Sequence, residues 1–288
     1  MAIAIIGQGI MGGAYARNLI KSGELVLGVD PSATARASLR EAGGQSFEKP
    51  GNWIADCELV ILSVASPQVL AAVCETLKEF VVPGQIVVET GTFSIKDKEE
   101  ARTALEDKGA ILLDCPVSGT GAQAAEGDLV MMASGEALSI ETVRPLLEKF
   151  TRLVMNAGAF GNGTRMKFVA NHAVAVHNTA AAETLNYADA LGLDRETVYR
   201  MLSSGAGQSR MSDLRMPLMI SGGYEPPSAS LRMFKKDLEI IGESIEINDV
   251  FAPLFQASSA VYRTANAKLP ETFDTAAVFE VFRDKDRS

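Results

Sequence analysis

Up to residue 156, short apolar runs alternate with amphipathic stretches such as PQVLAAVCETLKEFV. The apolar runs span 2–6, 24–29, 58–64, 85–90, 110–115, 129–134 and 152–156. Continuous apolar strands that alternate with helices are typical of a mostly parallel sheet covered by helices on both faces. The first part of the chain is therefore predicted to be an α/β domain.

The second half of the chain carries apolar positions at helical spacing only, which predicts an all-helical domain. The predicted helices span 163–191, 194–203, 209–220, 229–247, 252–267 and 272–284. The first of them, at about 1.5 Å per residue, would extend about 40 Å and join the two halves. We place the domains at 1–161 and 162–288.

Composition narrows the function classes. The 288 residues carry a net charge of −9, which disfavours a nucleic-acid partner because phosphate binding needs a basic face. The three cysteines form no disulfide or zinc spacing, and His172 and His177 have no set of partner ligands, so we predict no metal. Without a signal-like start or a membrane-length apolar run, we expect a cytoplasmic protein with no membrane contact.

A G-x-G-x-x-G pattern directly follows the first predicted strand and opens a helix, the context that makes this motif specific. Its residues are Gly7, Gln8, Gly9, Ile10, Met11 and Gly12. Such glycines let a pyrophosphate approach the helix N-terminus, so we predict a Rossmann-type dinucleotide-binding domain. Asp30 lies at the end of the next strand. An acidic residue at this position accepts hydrogen bonds from the ribose hydroxyls and repels a 2′-phosphate. Since residues 31–35 hold no arginine, we predict NAD in preference to NADP.

Two further features have both a functional and an ordinary interpretation. A predicted strand is followed by Ser118, Gly119 and Thr120. This loop either binds a carboxylate through its N–H groups and hydroxyls or is an ordinary turn. Lys167 lies in a predicted apolar helix. It is either the reactive amine of an active site or a solvent-facing side chain without a special role. Asn171, four residues later, shares its helix face.

Four segments in this order resemble the β-hydroxyacid dehydrogenase family over nearly the whole chain. They read GQGIMGGAYARNL, DCPVSGTGAQAAEGDLVMMASG, GNGTRMKFVAN and FKKDLEI. The segments MMASG, GGYEPPSASLRMFKKDL and AVFEVF are most similar to the branch that contains L-threonate dehydrogenases. The resemblance implies a hydride transfer between a nicotinamide and a small carboxylate substrate.

The resemblance also implies roles at matching positions. Lys167 matches the catalytic lysine and Asn171 its companion, while Ser118, Gly119 and Thr120 match the loop that binds the substrate's carboxylate and hydroxyl. Cofactor contacts beyond the glycine loop and Asp30 are expected at Val64, Thr92, Lys236 and Asp237. A lysine accepts the alcohol proton only when its pKa falls towards about 7–8.

Three departures from the family pattern bear on the substrate. Thr120 replaces a usual glycine, and Ala170 replaces a usual asparagine before Asn171. Arg210 stands where many relatives have a pocket tryptophan, and Arg215 falls near another pocket position. If these arginines bind a second anionic or hydroxylated group, the substrate is a sugar acid, a dicarboxylate or a phosphorylated hydroxyacid. Otherwise they are surface or subunit-contact residues. The leading expectation is a polar 3-hydroxyacid or an aldonate such as L-threonate.

Two other functions share this architecture. An imine reductase would generally lack the lysine and favour NADP, so Lys167 and Asp30 argue against it. A non-catalytic nucleotide-binding protein would be expected to have lost part of the set Ser118, Lys167, Asn171 and Lys236. The family also implies a homodimer or a dimer-based tetramer.

Overall fold

A computed structural model of the chain describes residues 2–284. It contains two compact units, and the chain passes from the first to the second between Lys167 and Phe168. The division falls inside the long helix, later than the predicted boundary at 161/162. The physical reason is that the first turn of this helix is hydrogen-bonded to the sheet-containing unit.

The first unit is built on a six-stranded parallel sheet with the order β3-β2-β1-β4-β5-β6. These strands are β1 Ala2–Ile6, β2 Leu25–Val29, β3 Gln45–Phe47, β4 Cys57–Leu62, β5 Ile86–Glu89 and β6 Ile111–Asp114. The central strands are buried on both faces. On β1, Ile3 and Ile5 pack into one apolar layer while Ala4 and Ile6 pack into the other. This confirms the predicted parallel sheet with two covered faces.

A second, smaller sheet follows, with β7 antiparallel to β8 and β8 parallel to β9. Its strands are β7 Val117–Ser118, β8 Val130–Ala133 and β9 Leu153–Asn156. The helices of this unit are α1 Ile10–Lys21, α2 Ala33–Glu41, α3 Pro67–Leu77, α4 Ile95–Glu106, α5 Gly121–Ala125 and α6 Ala137–Leu147, with a 3-10 turn at Asn52–Asp56.

The long helix α7 runs over Asn162–Ala190, and the second unit continues it with helices only among the described residues. These are α8 Arg195–Ser203, α9 Arg210–Ser221, α10 Leu231–Ile247, α11 Pro253–Lys268 and α12 Val278–Arg283, with a 3-10 turn at Thr275–Ala277. Inside this unit, Asn178 on α7 donates to the Tyr262 hydroxyl over 2.7 Å and to the Thr275 carbonyl over 2.9 Å. The predicted α/β domain followed by an all-helical domain is confirmed.

Candidate active site

The glycine loop joins β1 to α1, and the physical reason for a glycine differs among its three motif positions. Gly7 has a φ of +93°, and a Cβ there would lie 2.2 Å from the Ser63 carbonyl oxygen. A Cβ at Gly12 would lie 1.9 Å from the Gly7 carbonyl oxygen. These two glycines are needed for the turn and for close helix–strand packing. Gly9 differs, because a Cβ there would meet nothing within 4 Å.

The N-terminus of α1 is open to an anion. Its N-cap is Gly9, which gives no side-chain hydrogen bond, and no acidic residue occupies the first turn. The first N–H groups of a helix lack internal partners, and the helix dipole adds positive potential at the same end. The space beside Gly9 therefore suits the pyrophosphate of a dinucleotide, which the residues of this loop would hold through their backbone N–H groups.

Asp30 and Gln8 connect the glycine loop to the end of β2. One carboxylate oxygen of Asp30 accepts from the Gln8 backbone N–H and the other from the Ser32 backbone N–H, both over 2.8 Å. The Gln8 side chain points inward and donates to the Ile5 carbonyl over 2.9 Å, so only its backbone faces the loop. These bonds fix the carboxylate at the position expected for ribose recognition.

Arg36 lies directly after residues 31–35, the segment that holds no arginine. Its Nη1 donates to the Asp30 and Pro31 carbonyls over 2.8 and 2.9 Å, and its Nη2 lies 3.9 Å from a Glu48 carboxylate oxygen. A guanidinium and a carboxylate therefore both border the ribose position, and sequence spacing alone did not reveal the arginine.

The other candidate residues of this unit follow the carboxyl ends of strands, where open α/β sheets bind ligands. Val64 follows β4, beside Gly7, and its backbone nitrogen lies 3.5 Å from the Cβ that Gly7 lacks. Thr92 follows β5 through Gly91, and Ser118 ends β7 just after β6. The sheet thus places Gly7, Val64 and Thr92 along one edge.

The Ser118–Thr120 loop is shaped by its own helix and by α1. Gly119 has a φ of +140°, and a Cβ there would collide with Leu129. Thr120 is the N-cap of α5: its hydroxyl accepts from the Gln123 backbone N–H over 3.3 Å. The hydroxyl that the sequence suggested for substrate binding therefore also closes the first turn of α5.

The same loop touches the glycine loop. The exposed Ile10 side chain lies over Gly121, where a Cβ would approach it to 2.6 Å. Asn18 of α1 also donates to the Ala124 carbonyl over 2.8 Å. The predicted cofactor loop and the predicted substrate loop are therefore packed against each other.

Lys167 follows a helix start that is held by residues distant in sequence. The Gly163 N–H donates to the Ser134 hydroxyl over 2.9 Å, and the Thr164 N–H donates to the Asp114 carboxylate over 2.8 Å. A Cβ at Gly163 would lie 2.2 Å from the Met132 carbonyl oxygen and 3.1 Å from Pro116. Lys167, four residues after Gly163, shares that helix face. On that face the start of α7 packs against Pro116, two residues before Ser118.

Sequence reasoning missed a buried charge cluster at the same strand ends. The side chains of Glu89, Lys98 and Asp114 are fully buried; Lys98 Nζ contacts a Glu89 carboxylate oxygen and lies 2.9 Å from Asp114 Oδ1. Burial pushes the pKa of Lys98 down, but the charges of Glu89 and Asp114 outweigh it and hold that pKa above its ordinary value. Lys98 stays charged.

The second unit contains its own set of candidate residues. Asn171 on α7 donates to Asp237 Oδ2 on α10 over 2.8 Å. Lys236 Nζ lies 3.3 Å from the other oxygen of Asp237. A hydrogen bond and an ion pair at Asp237 therefore connect the predicted companion of Lys167 with the predicted Lys-Asp pair.

The two arginines proposed as substrate contacts have different environments. Arg210 is exposed and is the first residue of α9. Arg215 is buried, and its Nη1 is 2.9 Å from both carboxylate oxygens of Asp274 and also contacts the Ser228 hydroxyl. Arg215 thus forms a buried ion pair inside the helical unit.

Neither histidine belongs to a metal-binding group. His172 stacks on Phe255 with ring centroids 5.2 Å apart. Across residues 2–284, the His, Cys, Asp and Glu side chains form no group of three that would hold a metal ion. In the part of the chain that the structure describes, no helix has the length and apolarity needed to cross a membrane.

A Rossmann-type unit with an open glycine loop, followed by helices, is the architecture of a dinucleotide-binding protein. Residues 2–158 match the NAD binding domain of 6-phosphogluconate dehydrogenase. Residues 161–282 match the domain described as NAD-binding of NADP-dependent 3-hydroxyisobutyrate dehydrogenase. The chain belongs to the β-hydroxyacid dehydrogenase family and is a nicotinamide-dependent hydroxyacid dehydrogenase.

Individual relatives cover almost the whole chain. L-threonate dehydrogenase of Escherichia coli (strain K12) is 30% identical over 285 residues, 97% of this chain and 94% of that protein. The structure of Mycobacterium tuberculosis 3-hydroxyisobutyrate dehydrogenase with L-serine has a TM-score of 0.91 at 26% identity, over 98% of this chain and 99% of that one. Psf3 in complex with NADP+ and 2-OPP has a TM-score of 0.87 at 25% identity, over 97% and 99%.

Proposed function

We propose that the protein is an NAD-preferring dehydrogenase of a polar 3-hydroxyacid or aldonate such as L-threonate. In the reverse direction it would reduce the corresponding semialdehyde. The observation that supports the proposal is the tethered start of α7, where Gly163, on the helix face shared with Lys167, packs against Pro116 two residues before Ser118. A base and a carboxylate-binding loop are the two parts that oxidation of a hydroxyacid needs besides the cofactor.

Each part has a defined task in this proposal. The loop of Ser118 and Gly119 binds the substrate carboxylate through backbone N–H groups and a hydroxyl. Lys167 Nζ accepts the proton of the substrate hydroxyl during oxidation and returns it during reduction. Asn171 orients the same hydroxyl. A bound nicotinamide supplies the hydride acceptor, or the hydride donor in reverse.

The preference for NAD is supported by Asp30. Its carboxylate is fixed by two backbone N–H groups, and each oxygen retains a lone pair for a ribose hydroxyl. A 2′-phosphate at that position would meet a fixed negative charge. Arg36 would attract such a phosphate, but Glu48 lies near its second nitrogen.

The polar substrate is supported by Arg210 and by the relatives. Arg210 is exposed at the start of α9, so its guanidinium is available for a hydroxyl or a second anion. The E. coli relative at 30% identity is named for L-threonate. No such role is proposed for Arg215, which is paired with Asp274.

The test is NADH or NADPH formation by the purified protein over a panel of acids. The panel contains L-threonate, D-erythronate, glycerate, tartrate, 3-hydroxyisobutyrate, serine and 6-phosphogluconate, each with NAD and with NADP. NAD-linked turnover of L-threonate or another hydroxylated acid is the expected result. A strong preference for 3-hydroxyisobutyrate would refute the polar substrate. Turnover with NADP alone would refute the role given to Asp30.

A further inference from the structure

The cluster of Glu89, Lys98 and Asp114 lies at the ends of β5 and β6 and at the side of α4. All three side chains have no exposed surface. Two carboxyl groups share one ammonium there, and burial raises the pKa of Glu89, so hydrogen-bond donors must also stabilise the carboxyl groups in such a place. The donors come from Gly91, Ser134 and Thr164.

The start of α7 is the main donor. Thr164 gives Asp114 both its backbone N–H, over 2.8 Å, and its hydroxyl, over 2.7 Å. Ser134 also donates to Asp114 over 3.1 Å while accepting from the Gly163 N–H. The positive end of a 29-residue helix thus faces the carboxyl group of Asp114. The helix start is capped by residues far away in the sequence.

The same cluster fixes the segment that leads to Thr92. The Gly91 N–H donates to Glu89 over 2.7 Å, and Lys98 donates to the Gly91 carbonyl over 2.8 Å. Asp114 itself begins the segment that reaches Ser118. Thr92 and Ser118 therefore follow the cluster residues Glu89 and Asp114 within four positions, and Lys167 follows Thr164, which is hydrogen-bonded to Asp114.

We propose that Glu89, Lys98 and Asp114 are positioning residues that set Lys167 in register with the loops of Thr92 and Ser118. This inference rests on the proposed function, in which Lys167 moves the proton. The hydrogen bonds and ion pairs of a buried charged cluster form in one geometry only, whereas apolar side chains keep their contact when one element shifts along another. Because a displacement of about 1 Å in a catalytic group lowers the rate about 100-fold, a fixed register has a direct effect on catalysis.

The sharpest variant removes one bond of the network and no charge. Thr164→Val deletes the hydroxyl that donates to Asp114 and keeps the side-chain shape. Thr164→Ser restores the donor. Thr151→Val is the matched control, because Thr151 is equally buried in the same unit and its hydroxyl donates to the Leu147 carbonyl over 2.8 Å, away from the cluster.

The expected result separates rate from binding. Thr164→Val should lower kcat about tenfold and displace the pH dependence of kcat/KM, with the Kd of NADH within about twofold of wild type. Thr164→Ser should recover most of the rate, and Thr151→Val should keep wild-type kcat. Wild-type kcat in Thr164→Val, with a loss of thermal stability equal to that of Thr151→Val, would overturn the proposal.

Lys98→Met tests the cluster more directly, but it leaves two buried carboxylates without a counter-charge. The double variant Glu89→Gln/Lys98→Met is therefore made in parallel, because it removes the counter-charge together with one of the two carboxylates. Both should lower kcat more than Thr164→Val at an unchanged Kd for NADH. A folded double variant with wild-type kcat would contradict the proposal.

Hydrogen exchange followed by mass spectrometry keeps this inference separate from the proposed function. The peptide that contains residues 162–168 should exchange faster in Thr164→Val and at the wild-type rate in Thr151→Val. If wild-type protein turns over no acid, the proposed function fails, and the exchange result still decides whether the cluster holds α7. Unchanged exchange in that peptide would sink the positioning role by itself.

Discussion

The side-chain Nδ2 of Asn171 donates a hydrogen bond of 2.8 Å to Oδ2 of Asp237. An ionised carboxylate only accepts hydrogen bonds, so this contact fixes the orientation of the Asn171 amide. Its Oδ1 is then the atom that accepts from another group. Under the proposed function, that group is the substrate hydroxyl.

Asp237→Asn should therefore weaken catalysis without removing Asn171. The new amide donates as well as accepts, so Asn171 is no longer held in one orientation. The loss of about one hydrogen bond's net free energy corresponds to a decrease in kcat/KM of about tenfold. Glu239→Gln is the control, since it makes the same change of charge at an exposed position of α10. Equal kcat/KM values for the two variants would argue against the role of Asp237.

Lys167→Ala should abolish turnover and leave the cofactor bound. The amine is the proposed proton acceptor, while the glycine loop and Asp30 lie elsewhere in the unit. Steady-state rates and NADH titration by fluorescence measure the two properties. Arg165→Ala, on an exposed residue of the same turn, should retain activity. A near-wild-type rate in Lys167→Ala would remove this lysine from the mechanism.

Most of the architecture could be predicted because it follows from hydrophobic pattern. Every predicted apolar run forms a strand, and α7 begins one residue before its predicted start. The strands β3 and β7 were missed. Gln45–Phe47 and Val117–Ser118 are too short to show an alternation, and each exists because a neighbouring strand supplies hydrogen bonds.

The site could be predicted only in part, because a sequence does not show which charges become buried. Lys98 lies in the run KDKEEAR, which is typical of a solvated helix face, yet its side chain has no exposed surface. Arg215 shows the same limit, because the sequence does not reveal that its buried guanidinium pairs with Asp274, fifty-nine residues later.

Gly9→Ala and Gly12→Ala should separate cofactor binding from stability. A methyl group at Gly9 meets no protein atom, so the fold should be unaffected and the Kd of NADH should rise. At Gly12 the methyl group collides with the Gly7 carbonyl, so we expect a loss of about 1–3 kcal/mol in the free energy of unfolding. Urea titrations and NADH binding on both variants check this. Tight binding by Gly9→Ala would place the pyrophosphate elsewhere.

Asp30→Ser should shift the cofactor preference towards NADP. The substitution removes the negative charge at the ribose position and leaves Arg36, whose guanidinium is within reach of Asp30's own carbonyl. We expect the ratio of kcat/KM for NAD to that for NADP to fall at least about tenfold. The double variant Asp30→Ser/Arg36→Ala should lose the gain with NADP. If the ratio does not change in Asp30→Ser, this carboxylate does not select the cofactor.

The two arginines of α9 should respond differently to substitution. Arg215→Ala leaves the Asp274 carboxylate buried without its counter-charge, so we expect a loss of about 3–5 kcal/mol in the free energy of unfolding. Arg210→Ala should leave stability nearly unchanged and raise the KM for a polar acid. Denaturant titration and substrate kinetics on both variants distinguish the two roles. An unchanged KM in Arg210→Ala would contradict the proposed contact between Arg210 and a polar group of the substrate.

The capped start of α7 determines where a dinucleotide-binding fragment of this protein can end. A fragment that stops at residue 161 would follow the boundary suggested by the sequence. It would leave the Asp114 carboxylate and the Ser134 hydroxyl without the amides of Gly163 and Thr164. A dinucleotide-binding fragment that is meant to fold alone must therefore carry the first two turns of a helix that otherwise belongs to its neighbour.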